Sequence, residues 1–157
     1  MRGQKFCEVR EMSMGKITVA CEGEVIVRIS FGEDIRDGEK QMGNERTGRA
    51  FEELEEYFQG KRREFDLPLS PEGTEFQRRV WAALREIPYG ETRSYSEIAE
   101  QVGNPKAVRA VGMANHRNPI AIMIPCHRVI GKNGSLTGYA GGLSLKEKLL
   151  KLEHTER

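Results

Sequence analysis

The sequence is poor in the residues that staple or span. It holds three cysteines (Cys7, Cys21 and Cys126) and three histidines (His116, His127 and His154) in 157 residues. That is too few cysteines for a disulfide framework. Structural zinc needs four clustered nitrogen or sulfur ligands. The first half offers two cysteines and no histidine, so no metal is expected. Cys7 and Cys21 read as small buried apolar residues, or as neighbours facing each other across a hairpin. No run of about 18 apolar residues occurs, which predicts no transmembrane helix. The opening stretch MRGQKFCEVREM lacks the apolar core of a signal peptide. A soluble, cytoplasmic protein with no membrane partner is the expectation. Aromatics make up only 7% of the chain, yet apolar periodicity persists, so the chain is globular. Its length suits one large domain or two small ones.

Charge of one sign is missing locally. Residues 1–69 hold 12 basic and 15 acidic side chains, and residues 70–157 hold 13 and 9. From Gln101 to Lys146 six basic residues (Lys106, Arg109, Arg117, Arg128, Lys132 and Lys146) occur with no acid. A one-signed field favours an anionic partner such as nucleic acid. Chance clustering on a solvated surface is the equal alternative from charge alone.

What is present falls into two parts. Residues 5–12, 15–22 and 24–32 are short β-branched runs with a turn at Gly23-Glu24, which predicts strands. NERTGRAFEELEEYFQG predicts a helix with Phe51, Leu54 and Phe58 on one face and a stop at Gly60. Residues 66–73, DLPLSPEG, read as a linker. Beyond it, Thr74 with Gln77 and Ser94 with Glu97 are capping-box pairs that open two helices. Asn104 and Pro105 suit the cap and first turn of a helix PKAVRAVGMAN. NPIAIMI reads as a buried extended run, GKNGSLTGYAGG as a loop, and Ser144 with Glu147 as the cap of a last helix. The two short helices around Gly103 match a helix-turn-helix. The second carries Ala107, Ala110, Gly112 and Ala114, with Arg109 projecting among them. A smooth helix with one long cation can approach a nucleic acid backbone closely. Small residues packed in a core are the plain alternative, and the charge context favours nucleic acid over it.

The segment IPCHRVI, residues 124–130, puts three polar side chains inside an apolar frame. Such groups are costly to bury without partners. A thiol becomes nucleophilic when ionised, and a histidine base promotes that. Neighbours on a strand point to opposite faces, so Cys126 and His127 need a bend at Pro125 or a bridging water to cooperate. A histidine base also needs a third group to fix its tautomer. Glu147 is the nearest carboxylate in sequence on the C-terminal side.

IPCHRVIGKNGSLTGYAGGLSLKEKLL resembles the active-site region of the O6-alkylguanine-DNA alkyltransferases, also called methylated-DNA–protein-cysteine methyltransferases. The family's Pro-Cys-His-Arg-Val motif is Pro125 to Val129 here. The likeness continues upstream through FQRRVWAAL and YGETRSYSEIAEQVGNPKAVRAVGMANHRNPI, and covers residues 70–153. The first half is similar in architecture only.

The resemblance implies an α/β (α+β) chain of two small domains. Residues 1–69 would form an antiparallel sheet plus helix, ribonuclease H-like. Residues 70–157 would form a mostly helical domain with the helix-turn-helix and the active-site cysteine. It implies DNA repair by a monomer that acts once. Cys126 would take the alkyl group from O6 of guanine, and from O4 of thymine, in double-stranded DNA, without a cofactor. His127 would act through a water as base, with Glu147 orienting it. Asn118 matches a structural asparagine, and Tyr95 a tyrosine that helps neutralise departing guanine near N3. Val129 and Cys126 would offer carbonyls to the exocyclic amine of guanine. Tyr139 and the backbone N–H of Ala140 would form a lid over the base. Arg109 would replace the extruded nucleotide in the stack, and Ala107, Ala110, Lys106 and Ser94 would meet DNA. Some members hold zinc in the N-terminal domain, which this chain lacks the histidines to do. Relatives that only bind lesions replace the reactive cysteine, typically with tryptophan, so Cys126 argues against that alternative. Arg128 reads as a brace.

Overall fold

The computed structural model describes residues 3–153. The chain divides into two units: one holds the chain up to Glu72 together with Pro119–Ala121, and the other holds Gly73–Asn118 and the chain from Ile122 onward.

In the first unit, β1 (Lys5–Met12), β2 (Gly15–Glu22) and β3 (Val25–Phe31) form an antiparallel meander. Gly15 and Gly23 turn the chain at φ 111° and 58°, a region open to glycine without a Cβ clash. The three strands predicted from β-branched runs are all present. The sheet order is β3-β2-β1-β4, and the fourth strand, β4 (Glu39–Gln41), lies parallel to β1. The expected antiparallel sheet therefore has one parallel edge. Three polar residues, Glu39-Lys40-Gln41, carry no apolar alternation that would announce a strand. Buried Arg28 reaches Glu39 with bonds of 2.5 and 2.7 Å and so ties that edge down.

Asn44 caps α1 (Glu45–Phe58) with a full capping box to Thr47. The helix buries Ala50, Phe51, Leu54 and Tyr57 on the sheet. In the β1–β2 register Cys7 pairs with Ala20, and Cys21 pairs with Phe6. Successive residues of a strand face opposite ways, so the two cysteines lie on opposite faces and stay free.

The linker expected at 66–73 is not free. Pro68 O accepts from Ile26 N at 2.9 Å and Ser70 N donates to Ile26 O at 2.8 Å. Leu67 is buried. Farther along the same strand, Ile29 bonds to Pro119 and Ala121 at 2.9 and 3.0 Å. Both segments cover the outer edge of β3, whose backbone groups would otherwise be open to another chain. The predicted extended run NPIAIMI thus makes a single bridge, Ile29 to Ile120. It then turns sharply at Ile122, a β-branched residue held at φ 72°. Such a conformation costs of order 1–3 kcal/mol and persists only where the surroundings impose it.

In the second unit, α2 (Glu75–Leu84) and α3 (Tyr95–Gln101) begin with the predicted Thr74–Gln77 and Ser94–Glu97 capping boxes. Before α3, β5 (Arg93–Ser94) runs parallel to β6 (Val129–Ile130). The next helix, α4, spans Val108–His116 and starts later than Asn104-Pro105 suggested. Residues 104–107 form a turn closed by Ala107 N to Asn104 O at 2.9 Å, and no side chain caps the helix. Gly103, at φ 85°, turns the chain between α3 and α4. Trp81 of α2 donates its indole N–H to Ala114 O of α4 at 2.8 Å. The last helix, α5 (Leu143–Leu152), starts at Gly142, so the Ser144–Glu147 capping box does not form. Glycine supplies that start with φ 95°. Trp81, Val80, Leu84, Ile98, Val111, Leu149 and Leu150 form the apolar interior. Among the described residues no helix is long and apolar enough to cross a membrane.

Candidate active site

Residues Cys126–Arg128 are one turn of 3₁₀-helix, and β6 follows directly. Pro125, with ψ 63°, bends the chain into it. Arg128 N closes the turn on Pro125 O at 3.0 Å. At three residues per turn, successive side chains fan out by a third of a circle instead of alternating between two faces. Cys126, His127 and Arg128 are all buried.

Burial pushes the Cys126 thiol up to about 11, against the smaller opposing pulls of an Asn118 hydrogen bond and the Lys146 charge. Asn118 also donates to Ile124 O at 2.8 Å and so holds the approach to the turn.

Glu153, just beyond α5, lies 2.8 Å from Nε2 of His127. The same carboxylate accepts from Arg128 Nε at 2.8 Å and from its Nη2 at 3.0 Å. Arg128 also donates to Ile87 O at 2.7 Å and stacks over the Tyr89 ring at 5.7 Å. It is a brace in the literal sense, a buried guanidinium fixing a carboxylate. Burial alone would raise the Glu153 pKa, but hydrogen bonds from His127 and Arg128 outweigh it and hold the group at about 2. Burial lowers the His127 pKa in spite of Glu153. A neutral imidazole facing a carboxylate must carry its proton on Nε2. Nδ1 is then a bare lone pair, buried and without a protein partner among the described residues.

The expected partner of His127, Glu147, is not there. It pairs with Lys151 at 3.1 Å, and its side chain is 44% exposed. At 100° per residue, six positions separate Glu147 from Glu153 by two-thirds of a turn. The legible signal was helical spacing: Glu153 stands four residues after buried Leu149, on the apolar face.

Lys146 was missed as a site residue. It is fully buried, and its ammonium donates to Val129 O at 2.6 Å and Thr137 O at 3.1 Å. Burial lowers its pKa to about 8 against the opposing influence of Cys126. The Val129 carbonyl, expected to meet guanine, thus already accepts one hydrogen bond. The Cys126 carbonyl accepts two, from the backbone N–H of Val129 and from Asn115 Nδ2 at 3.4 Å. A carbonyl has two lone pairs, so both of those on Cys126 are engaged while Val129 can keep one for a ligand.

The loop 131–142 brings Tyr139 to a buried position and leaves Ala140 exposed. The Tyr95 hydroxyl meets the Thr137 hydroxyl of this loop at 2.5 Å. Ser94 is occupied as the cap of α3. Arg109, Lys106 and Ala110 are exposed and Ala107 is half-buried. A 470 Å³ groove runs along α4 between Tyr95 and the cations Arg109 and Arg117. Among the described residues no metal-binding cluster of three or more His, Cys, Asp or Glu side chains occurs.

Residues 75–155 match the family profile "6-O-methylguanine DNA methyltransferase, DNA binding domain", and residues 5–71 match the "ribonuclease-like domain" of the same family. A methylated-DNA–protein-cysteine methyltransferase of Methanosarcina acetivorans is 56% identical over 94% of this chain and 97% of its own length. A constitutive one from Bacillus subtilis is 49% identical over 91% and 92%. The crystal structure of Mycobacterium tuberculosis OGT in complex with DNA superposes with a TM-score of 0.90, at 48% identity over 94% of this chain and 92% of that one.

Proposed function

The chain belongs to the 6-O-methylguanine DNA methyltransferase family, and we propose that the alkyl group it removes from DNA ends on Cys126. The protein repairs DNA by direct transfer. A sulfur–carbon bond forms as the carbon–O6 bond breaks, and guanine leaves intact. The thioether is stable, so each molecule acts once, and a monomer suffices. No cofactor takes part. O4 of thymine offers the same chemistry. Action in the cytoplasm belongs to the same proposal.

One observation carries the site assignment: Cys126 is buried next to a histidine whose Nε2 is committed to Glu153 and whose Nδ1 is bare. A water on Nδ1 can pass the thiol proton to His127, and Glu153 stabilises the imidazolium. Tyr95 donates to guanine near N3 as charge develops there. Tyr139 and the Ala140 N–H close over the base, and Val129 O accepts from its exocyclic amine. The target atom is out of reach inside a duplex, so the nucleotide must be flipped out at a cost of a few kcal/mol. Arg109 fills the gap. Ala107 and Ala110 let α4 approach the minor groove, where readout is degenerate, while Lys106 and Ser94 meet the backbone. Asn118 keeps the turn in register with α4.

Incubation with duplex DNA carrying O6-methylguanine adds one methyl group to the protein, located on Cys126 by peptide mass spectrometry. Cys126→Ser binds the DNA and takes up no methyl. Methylation of Cys7 or Cys21 instead would refute the site.

A further inference from the structure

Tyr95 and Thr137 meet at 2.5 Å, hydroxyl to hydroxyl, across 42 positions of sequence. Tyr95 stands at the start of α3, and Thr137 stands in the middle of loop 131–142. The threonine is itself held, because its main-chain oxygen accepts from the buried Lys146 ammonium. That ammonium also grips Val129 O, next to the Cys126 turn. Lysine, threonine and tyrosine thus link α5, β6, the loop and α3.

We infer that Thr137 is a positioning residue for alkyl transfer, its hydroxyl donating to the Tyr95 oxygen so that the Tyr95 proton points at the departing guanine. The inference rests on the alkyl-transfer reading and adds a residue to it. A phenol has one proton and can donate it to one acceptor at a time. A threonine hydroxyl can either accept that proton or offer its own. With no base present, either direction serves. Once a flipped guanine presents N3, Tyr95 must turn its proton toward the base, and Thr137 reverses to become the donor. Each bond in such a chain polarises the next, so the Tyr95 O–H becomes a stronger donor as charge grows on guanine. No proton need leave Tyr95 for this to act, and the charge balance of the transfer is unchanged. The branched Cβ of threonine restricts its rotamer, and Lys146 fixes its backbone, so the hydroxyl is placed before substrate arrives.

The test uses the full-length protein and single-turnover transfer from duplex DNA carrying O6-methylguanine. Thr137→Val keeps the shape and removes the hydroxyl, and Thr137→Ser keeps the hydroxyl. Thr137→Val slows the transfer step roughly tenfold, the upper scale of one net intramolecular hydrogen bond, with DNA affinity and thermal midpoint unchanged. Thr137→Ser restores most of the rate. In a Tyr95→Phe background Thr137→Val costs nothing further, because the group it positions is gone. A bystander threonine would give Thr137→Val the wild-type rate, or would give the same loss with and without the Tyr95 hydroxyl. Either result overturns the inference while alkyl transfer itself stands. A wild-type protein that transfers no methyl overturns both.

Discussion

Glu153 and His127 are joined by a 2.8 Å hydrogen bond with both side chains fully buried. The carboxylate comes from the residue after the last helix, and it is shared with Arg128. The Cys126–Arg128 turn and the end of α5 are therefore one electrostatic unit.

Glu153→Gln is the direct check of that unit. It leaves the Arg128 guanidinium buried without its anion, and breaking a buried pair costs about 3–5 kcal/mol. Urea unfolding gives a lower midpoint, and single-turnover transfer is slower because His127 loses its orienting partner. Glu147→Gln leaves both quantities at wild-type values, since Glu147 is 44% exposed and pairs with Lys151 on the surface of α5. A variant pair behaving the other way round would restore Glu147 to the site.

Acid stability follows from the same carboxylate. Its folded pKa is depressed to about 2 from 4.5. A depressed carboxylate stabilises the fold fully above its unfolded value, and that contribution is lost as pH falls through the folded value. Stability of the wild type therefore drops between about pH 4.5 and 2, and the drop is shallower in Glu153→Gln. Denaturant melts across this range measure it.

The transfer rate has its own pH signature. Burial lowers the His127 pKa, so the imidazole stays neutral below the ordinary histidine range. The wild-type rate holds steady as pH falls through 6.5 and declines only at more acid pH. The Cys126 thiol, at about 11, is almost wholly protonated at neutral pH. In His127→Gln the rate is low at neutral pH. It then climbs about tenfold per pH unit toward that value, following the thiolate fraction.

Lys146 is predicted to hold the loop. Lys146→Met removes the donor from Val129 O and Thr137 O and exposes residues 131–142 to limited proteolysis, with slower transfer. Lys146→Arg does not rescue it, because a planar guanidinium cannot replace a compact ammonium in a closed site. Wild-type protease resistance in Lys146→Met would remove the loop-holding role.

Exposed on α4, Arg109 is predicted to act on the duplex and not on the chemistry. Arg109→Ala slows transfer from double-stranded DNA roughly tenfold, on the scale of part of the unstacking cost. It leaves the reaction with a free O6-alkylguanine base untouched. Equal losses on both substrates would place Arg109 in the chemical step instead.

Local pattern determined much of this protein. The three strands of the meander, the capping boxes at Thr74 and Ser94, the helix-turn-helix and the adjacent Cys126 and His127 are all short-range signals, set by alternation, spacing or side-chain bonds within four residues. Where the sequence misled, distant contacts had decided. β4 exists because Glu39 meets Arg28, and residues 66–73 pack because Ile26 has open backbone groups. Asn104 and Ser144 have capping chemistry, but α4 and α5 start at Ala107 and Gly142, where turns deliver the chain. The site divides in the same way. Cys126 and His127 were legible from their motif. Their third member was not, because nearness in sequence favoured Glu147 while helix phase put Glu153 on the buried face. Lys146 looked like one more surface cation. Only tertiary packing could bury it under two carbonyls, and only packing could bring Thr137 to Tyr95.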